Sequence, residues 1–300
     1  MPKICYIEKK FRADSLAKIQ QANDIIDEYI VLGIKLNLRS LYYQFVARGF
    51  IPNNDKSYDN LGSLISDARL AGLIDWNAIE DQTRSLRQNN HWGSPEEIIE
   101  ACASQYRIDR WSDQSYRPEV WIEKDAAIGS IQAICVKLDV PFFSCRGYTS
   151  QSEMWIAGQR MRRHLKGKQK PVIFHIGDHD PSGIDMSRDI QDRLELFIGQ
   201  PIDFRRIALN MDQIREYNPP PNPAKLSDSR ARDYIDLYGD ESWELDALNP
   251  TKLVSLVQEG VDSILDKKKW KARDKEEQTG KDQLQTVADR WEDVVARLDL

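Results

Sequence analysis

The sequence predicts a mixed α/β protein in which a mostly helical part precedes a mainly parallel α/β part. Three observations carry this. From Val120 onward, short apolar runs alternate with helix-like segments of roughly 10–15 residues, the pattern of βαβ units. Before that point the chain shows helical periodicity and no such alternation. The apolar run Val172 to Ile176 ends in GDHDPSG, so a buried parallel strand meets two aspartates before the chain breaks at Pro181 and Gly183.

The first part reads as helices. Ser15 to Val31 is one amphipathic segment. Leu38, Leu41, Tyr42, Phe45 and Val46 fall on one stripe, with Asn37 as a suitable N-cap. Leu61, Leu64, Ile65 and Ala68 make a third stripe, expected to be capped by Ser57 and to end near Gly72. Three short helices fit a helix-turn-helix or winged-helix-like DNA-binding module over residues 1–116. Arg84 and Arg87 would then belong to a wing or to a solvated loop.

In the second part, residues 117–300, strands are expected at Val120 to Ile122, Pro141 to Ser144, Val172 to Ile176, Ile202 to Leu209 and Trp243 to Leu245. The helices between them are Ala126 to Leu138, Ser152 to Leu165 and Ile184 to Phe197. PPPNPAK opens a stiff surface loop. Asp266 to Asp299 alternates charge at helical period and reads as a solvated helix pair packed on the sheet.

Composition narrows the class. With 300 residues, 41% hydrophobic and 30% charged, the chain has the make-up of a soluble protein with a sizeable core. No apolar stretch approaches the length of a membrane span, and MPKICYIEKKFRAD is too charged for a secretion signal. Four cysteines without a CxxC pair give no zinc site and read as reduced thiols in a cytoplasm. A net charge of −6 argues against phosphate binding by charge alone.

Asp178 and Asp180 stand at i and i+2, so an extended segment points both carboxylates to one side. Glu123 ends the first strand of the α/β part. Strand ends gather on one edge of a parallel sheet, which lets Glu123 reach the same pocket. Ionised carboxylates held close repel unless a cation or proton lies between them, and Mg2+ suits an all-oxygen set. A solvated acidic turn is the alternative.

This order of strands and acids resembles the Toprim domain, the metal-binding module of topoisomerases, primases and several nucleases. VWIEKDAAIGSI, SCRGYTSQSE, GDHDPSG and WELDALNP, taken in order, are similar to the A subunit of topoisomerase VI and its relative, the meiotic double-strand-break protein. The likeness covers residues 117–260. It implies a winged-helix domain followed by a Toprim domain, a homodimer, double-stranded DNA as partner, and Mg2+ held by Glu123, Asp178 and Asp180. It also implies a separate ATPase subunit if DNA topology is changed with ATP.

The same family carries a nucleophilic tyrosine in an Arg-x-hydrophobic-Tyr-Tyr motif. Here LRSLYYQFVARG places the second tyrosine at Tyr43, with Arg39 one turn earlier. Helical geometry separates the pair: Tyr42 shares the apolar stripe, whereas Tyr43 lies about 100° around the helix. A phenol with a pKa of about 10 needs help to attack, from Arg39 or a metal. A half-buried structural aromatic is the other reading of Tyr43. Glu123 would complete the site or move a proton. A hydrolytic Toprim nuclease using activated water, and a non-catalytic DNA-binding protein of the same fold, are the competing functions. His179 would touch the metal or a phosphate, or be solvated. Arg146, Gly147 and Tyr148 form a turn near the pocket, and Lys124 and Asp125 adjoin Glu123.

Overall fold

The structure is a computed structural model and describes residues 3–79, 89 and 91–298. Arg84 and Arg87 lie outside the described residues. The chain forms two compact units, and neither is a continuous stretch. One combines Met1–Arg84 with Pro118–Ser263, and the other combines Ser85–Arg117 with Ile264–Leu300.

The larger unit opens with α1 (Ala13–Val31), α2 (Leu38–Ala47) and α3 (Asp55–Leu70). Their stripes bury Ile25, Tyr29, Leu41, Phe45, Leu61 and Ile65 in one core, which Ala247 and Val254 of the α/β part complete. Asn37 caps α2 by accepting the Ser40 amide, as the sequence predicts. The cap of α3 is Asn54, not Ser57: the Asn54 side chain accepts the Ser57 amide, so the helix starts two residues before Ser57.

The smaller unit begins with α4 (Pro95–Gln105). Returning to the larger unit, the chain runs through β1 (Tyr116–Ile122), α5 (Ile128–Lys137), β2 (Phe142–Ser144), α6 (Gln151–Lys166), β3 (Lys170–Ile176), α7 (Pro181–Ile198) and β4 (Asp203–Ala208). The four strands form a parallel sheet in the order β2-β1-β3-β4. The path therefore steps one way from β1 to β2, then reverses and continues to β3 and β4. Right-handed crossovers put α5 on one face and α6 and α7 on the other. Trp121 and Ile173 accordingly pack with Met154, Met161, Ile190 and Leu194 on the α6–α7 side.

Next come α8 (Met211–Tyr217), β5 (Asn222–Pro223), α9 (Ala231–Tyr238), β6 (Glu241–Ser242) and α10 (Pro250–Asp262). A Cβ on Gly260 of α10 would sit 3.2 Å from the Phe174 ring, so α10 covers the face opposite α6 and α7. Two expectations change here. The stiff loop contains β5, which pairs antiparallel with β6. The strand expected at Trp243 to Leu245 is absent: Trp243 bridges His179, and Leu245–Ala247 is a 3-10 turn. The turn is set by a long-range bond, because the Leu245 amide donates to the Asp178 carboxylate.

The C-terminal helices α11 (Lys267–Asp289) and α12 (Trp291–Leu298) belong to the smaller unit with α4, not to the α/β part as expected. The reason lies in α11. Trp270 meets Trp111, Glu277 is buried against Arg110, and a Cβ on Gly280 would lie 2.4 Å from the Tyr106 ring. The boundary expected at 116/117 thus falls beside one of three crossings between the units, the one after Arg117. Among the described residues no helix is long and apolar enough to cross a membrane.

Candidate active site

The sheet reverses its winding between β1 and β3, and the carboxyl ends of these strands are where open α/β sheets place their ligands. Glu123 follows β1 directly, and its amide pairs with the Ile176 carbonyl of β3 at 2.9 Å. Its carboxylate crosses to accept the Asp178 amide at 2.8 Å. Two glycines make room for it. A Cβ on Gly177 would lie 2.9 Å from Glu123 Oε2, and one on Gly183 would lie 2.3 Å from the Asp178 carbonyl oxygen. Asp180 is the N-cap of α7, accepting the Gly183 amide at 2.6 Å, with Pro181 at the first helical position.

Burial, then the Asp178 charge, pushes the Glu123 carboxyl up to about 8. Asp178 is also raised, by burial, even though Lys124 pulls the other way. These are the signs of acids crowded into a dry place. Yet the three carboxylates do not converge. Glu123 holds the Asp178 amide, Asp180 caps its helix, and Asp178 accepts the Leu245 amide while pairing with Lys124. Among the described residues, no group of three or more acids, histidines or cysteines is already arranged to hold a metal ion.

A chain of charges runs from there to Tyr43. Lys124 pairs with Asp178 and lies 3.7 Å from Glu244. Glu244 pairs with Arg39, and Arg39 Nε lies 3.4 Å from Asp246. Burial would raise Glu244, but Lys124, Arg39 and a hydrogen bond from Tyr43 outweigh it and leave the carboxyl below its ordinary range. Asp246 is pushed up to about 6, first by burial. The Tyr43 hydroxyl also accepts a hydrogen bond from Asn222 at 3.4 Å.

Tyr43 is not the half-open flank that the helical wheel predicts. It is 3% exposed and Tyr42 is 4% exposed. Both sides of α2 are covered, one by α1 and α3 and the other by the Leu245–Ala247 turn. Burial pushes the Tyr43 phenol up to about 12, and Arg39 only partly opposes this. Tyr42 is more than core filler: its hydroxyl donates to Asn53 Oδ1 at 2.9 Å and accepts the Asn54 amide at 2.9 Å. Asn53 in turn donates to Asn222 at 2.9 Å, linking the two tyrosines through side chains.

His179 is neither solvated nor turned to the acids. It is buried among Tyr234, Tyr238 and Trp243, with Nδ1 at 2.8 Å from the Tyr234 hydroxyl. Arg146 and Gly147 both take positive φ, and Arg146 pairs with Asp125 at 2.7 Å. Tyr148 is exposed and bonds Asp185 and Arg230.

The residues missed by sequence reasoning are Glu244, Asp246, Asn222 and Arg206. Arg206 reaches from β4 to donate to the carbonyls of Gly177 at 3.0 Å, Asp178 at 2.5 Å and Gly183 at 3.2 Å. It thereby pins the loop that carries both aspartates. Pairing between β3 and β4 steps from Arg206 to Ala208, and this one-residue bulge beside the site is the kind that re-aims a side chain. No local signal marks such a strand arginine. WELD did carry acids two apart, the same spacing as in DHD.

Three features fit a divalent cation. The donors are all carboxylate oxygen, which suits Mg2+. Gly177 and Gly183 keep the Glu123 side clear of Cβ atoms. The Lys124 ammonium already stands among Asp178 and Glu244 as a cation. No protein-family model matches the chain, and no curated protein matches it.

Proposed function

We propose that this protein is a Mg2+-dependent DNA-cleaving enzyme of the Toprim type, similar to the A subunit of topoisomerase VI. Its α/β part would serve as the Toprim domain and its N-terminal helices as the winged-helix-like domain. The observation that carries the reading is the charged cluster linking Glu123 and Asp178 to Tyr43 through Lys124, Glu244 and Arg39. A nucleophile and an acidic cation site held in one connected set of side chains are what backbone cleavage by transesterification needs.

In this reading Asp178 and Asp180 would hold the Mg2+, and Glu123 would complete the set or move a proton. The bound cation supplies charge neutralisation on the phosphate. Tyr43 passes its proton to water and attacks phosphorus, forming a phosphotyrosyl bond while the P–O bond to the deoxyribose oxygen breaks and that oxygen takes up a proton. Arg39 stabilises the phenolate, since its charge and its hydrogen bond both favour the ionised Tyr43. Where Glu123 is not a ligand of the cation, its carboxyl supplies the proton that the leaving oxygen takes up. Cutting both strands of a duplex requires two copies, hence a homodimer on double-stranded DNA. An ATPase, if one takes part, comes from a separate subunit.

One observation favours a second reading. The Tyr43 phenol is buried and raised to about 12, the reverse of an activated nucleophile. The same carboxylates could activate water, leaving Tyr43 a structural role in a hydrolytic Toprim nuclease. Incubating the protein with supercoiled plasmid and Mg2+ separates the two. Protein-linked DNA ends mark the transesterase, and free ends mark the hydrolase. No cutting under any divalent cation would leave a non-catalytic DNA-binding protein.

A further inference from the structure

We infer that Lys124 is a displaceable internal cation, whose ammonium stands on Asp178 in the cation-free protein and leaves it when a divalent cation takes that carboxylate. The inference rests on the metal-site reading above and adds to it a competitor built into the chain. Glu123 and Lys124 are consecutive, and both reach Asp178: Glu123 takes its amide, and Lys124 takes its carboxylate. The Asp178 side chain is only 3% exposed, whereas the Lys124 side chain is 33% exposed. Asp178 Oδ1 is engaged by the Leu245 amide, and Oδ2 faces Lys124. A cation approaching from solvent therefore meets Asp178 where the lysine already is.

The surroundings allow the exchange. Lysine is a compact charge on a flexible stem, able to withdraw without moving the backbone. Glu244, the other acid beside Lys124, keeps Arg39 as its partner when the ammonium leaves. Asp246 keeps Arg39 as well. The exchange thus replaces one positive charge by two at Asp178, while Glu244 and Asp246 lose the attraction of Lys124 and share Arg39.

The test is isothermal titration of the cation-free full chain with Mn2+ alone, for wild type, Lys124→Met, Lys124→Arg and Asp178→Asn. Removing the competing charge should tighten Mn2+ binding by about tenfold in Lys124→Met. Lys124→Arg keeps the charge and should bind no better than wild type, and Asp178→Asn should lose the site. A purely structural lysine would instead weaken binding in Lys124→Met. Equal or weaker binding in Lys124→Met, with loss in Asp178→Asn, overturns the inference and leaves the metal-site reading standing. Unchanged binding in Asp178→Asn, or no binding in any protein, overturns both. Should Lys124→Met not fold, as judged by circular dichroism, Mg2+ titration of wild type followed by lysine-selective NMR decides: the Lys124 signal moves on binding, or the inference fails.

Discussion

Tyr43 holds a hydroxyl in a place that discourages its ionisation, yet that hydroxyl touches the charged groups most able to reverse the effect. Its partners are Asn222, Glu244 and Arg39. Tyr43→Phe removes the oxygen and little else, so the melting curve should shift by the equivalent of about 1 kcal/mol. The same variant should form no protein–DNA adduct. Wild-type cutting by Tyr43→Phe would transfer the chemistry to water. Glu123 supports a second prediction at this scale. Its ordinary value is 4.5, and the fold raises it to about 8, so the folded protein binds that proton more tightly than the unfolded chain. Stability from this group is full below about pH 4.5 and is lost as pH rises through about 8. Asp246, raised to about 6, acts in the same sense at lower pH. Thermal melts in chelator should therefore fall between pH 6 and pH 8, and Glu123→Gln should flatten that slope. A wild-type curve that rises over this window would contradict the burial of a shared acid. The meeting of Glu123 with Asp178 was legible because acids at the ends of apolar runs form a local pattern, whereas the turn of Asp180 to cap α7 was not. Arg206 and Asn222 were not, because what makes them matter is a partner more than twenty residues away.

The segment from β3 to α7 shows how tightly one connection can be specified. Gly177 and Gly183 flank the two aspartates, Asp180 caps the helix, and Pro181 opens it. Gly183 has no freedom to be anything larger, since a Cβ would press within 2.3 Å of the Asp178 carbonyl oxygen. Gly183→Ala should destabilise the larger unit by about 1–3 kcal/mol through forced backbone movement. It should also weaken Mn2+ binding, because the displaced carbonyl belongs to a proposed ligand. Wild-type stability and affinity in this variant would show that the loop is looser than its contacts imply. Elements bounded by local signals were readable in the sequence: α2 follows from its stripe and Asn37, and β3 from five apolar or buried positions before a turn. The segment Trp243 to Leu245 misled because its alternation of Trp, Glu and Leu resembles a strand. Its conformation is decided from outside, by His179 on one side and the Asp178 carboxylate on the other.

At the scale of the whole chain, periodicity shows which segments are helical but not where they go. The charged C-terminal helices have no apolar face broad enough to name a partner, and α4 lies more than 150 residues before them. What joins them is a buried acid. Glu277 is 1% exposed and accepts Arg110 at 2.9 Å, Lys281 at 2.6 Å and the Ile108 amide at 3.2 Å. Burial alone would raise its carboxyl, but these donors hold it down to about 2, below its ordinary 4.5. Its contribution to the smaller unit is therefore present above about pH 4.5 and lost as pH falls through about 2. Glu277→Gln keeps the shape but removes the charge that pairs with Arg110 and Lys281, and should cost about 2 kcal/mol. Removing residues 264–300 altogether takes away the partner of α4 as well as its counter-charges. In that shortened chain, limited proteolysis should cut rapidly within residues 91–117, while the larger unit keeps its melting transition because its core includes none of the deleted residues. Equal protease resistance of residues 91–117 with and without the C-terminal helices would mean that α4 is held by something other than Glu277 and its neighbours.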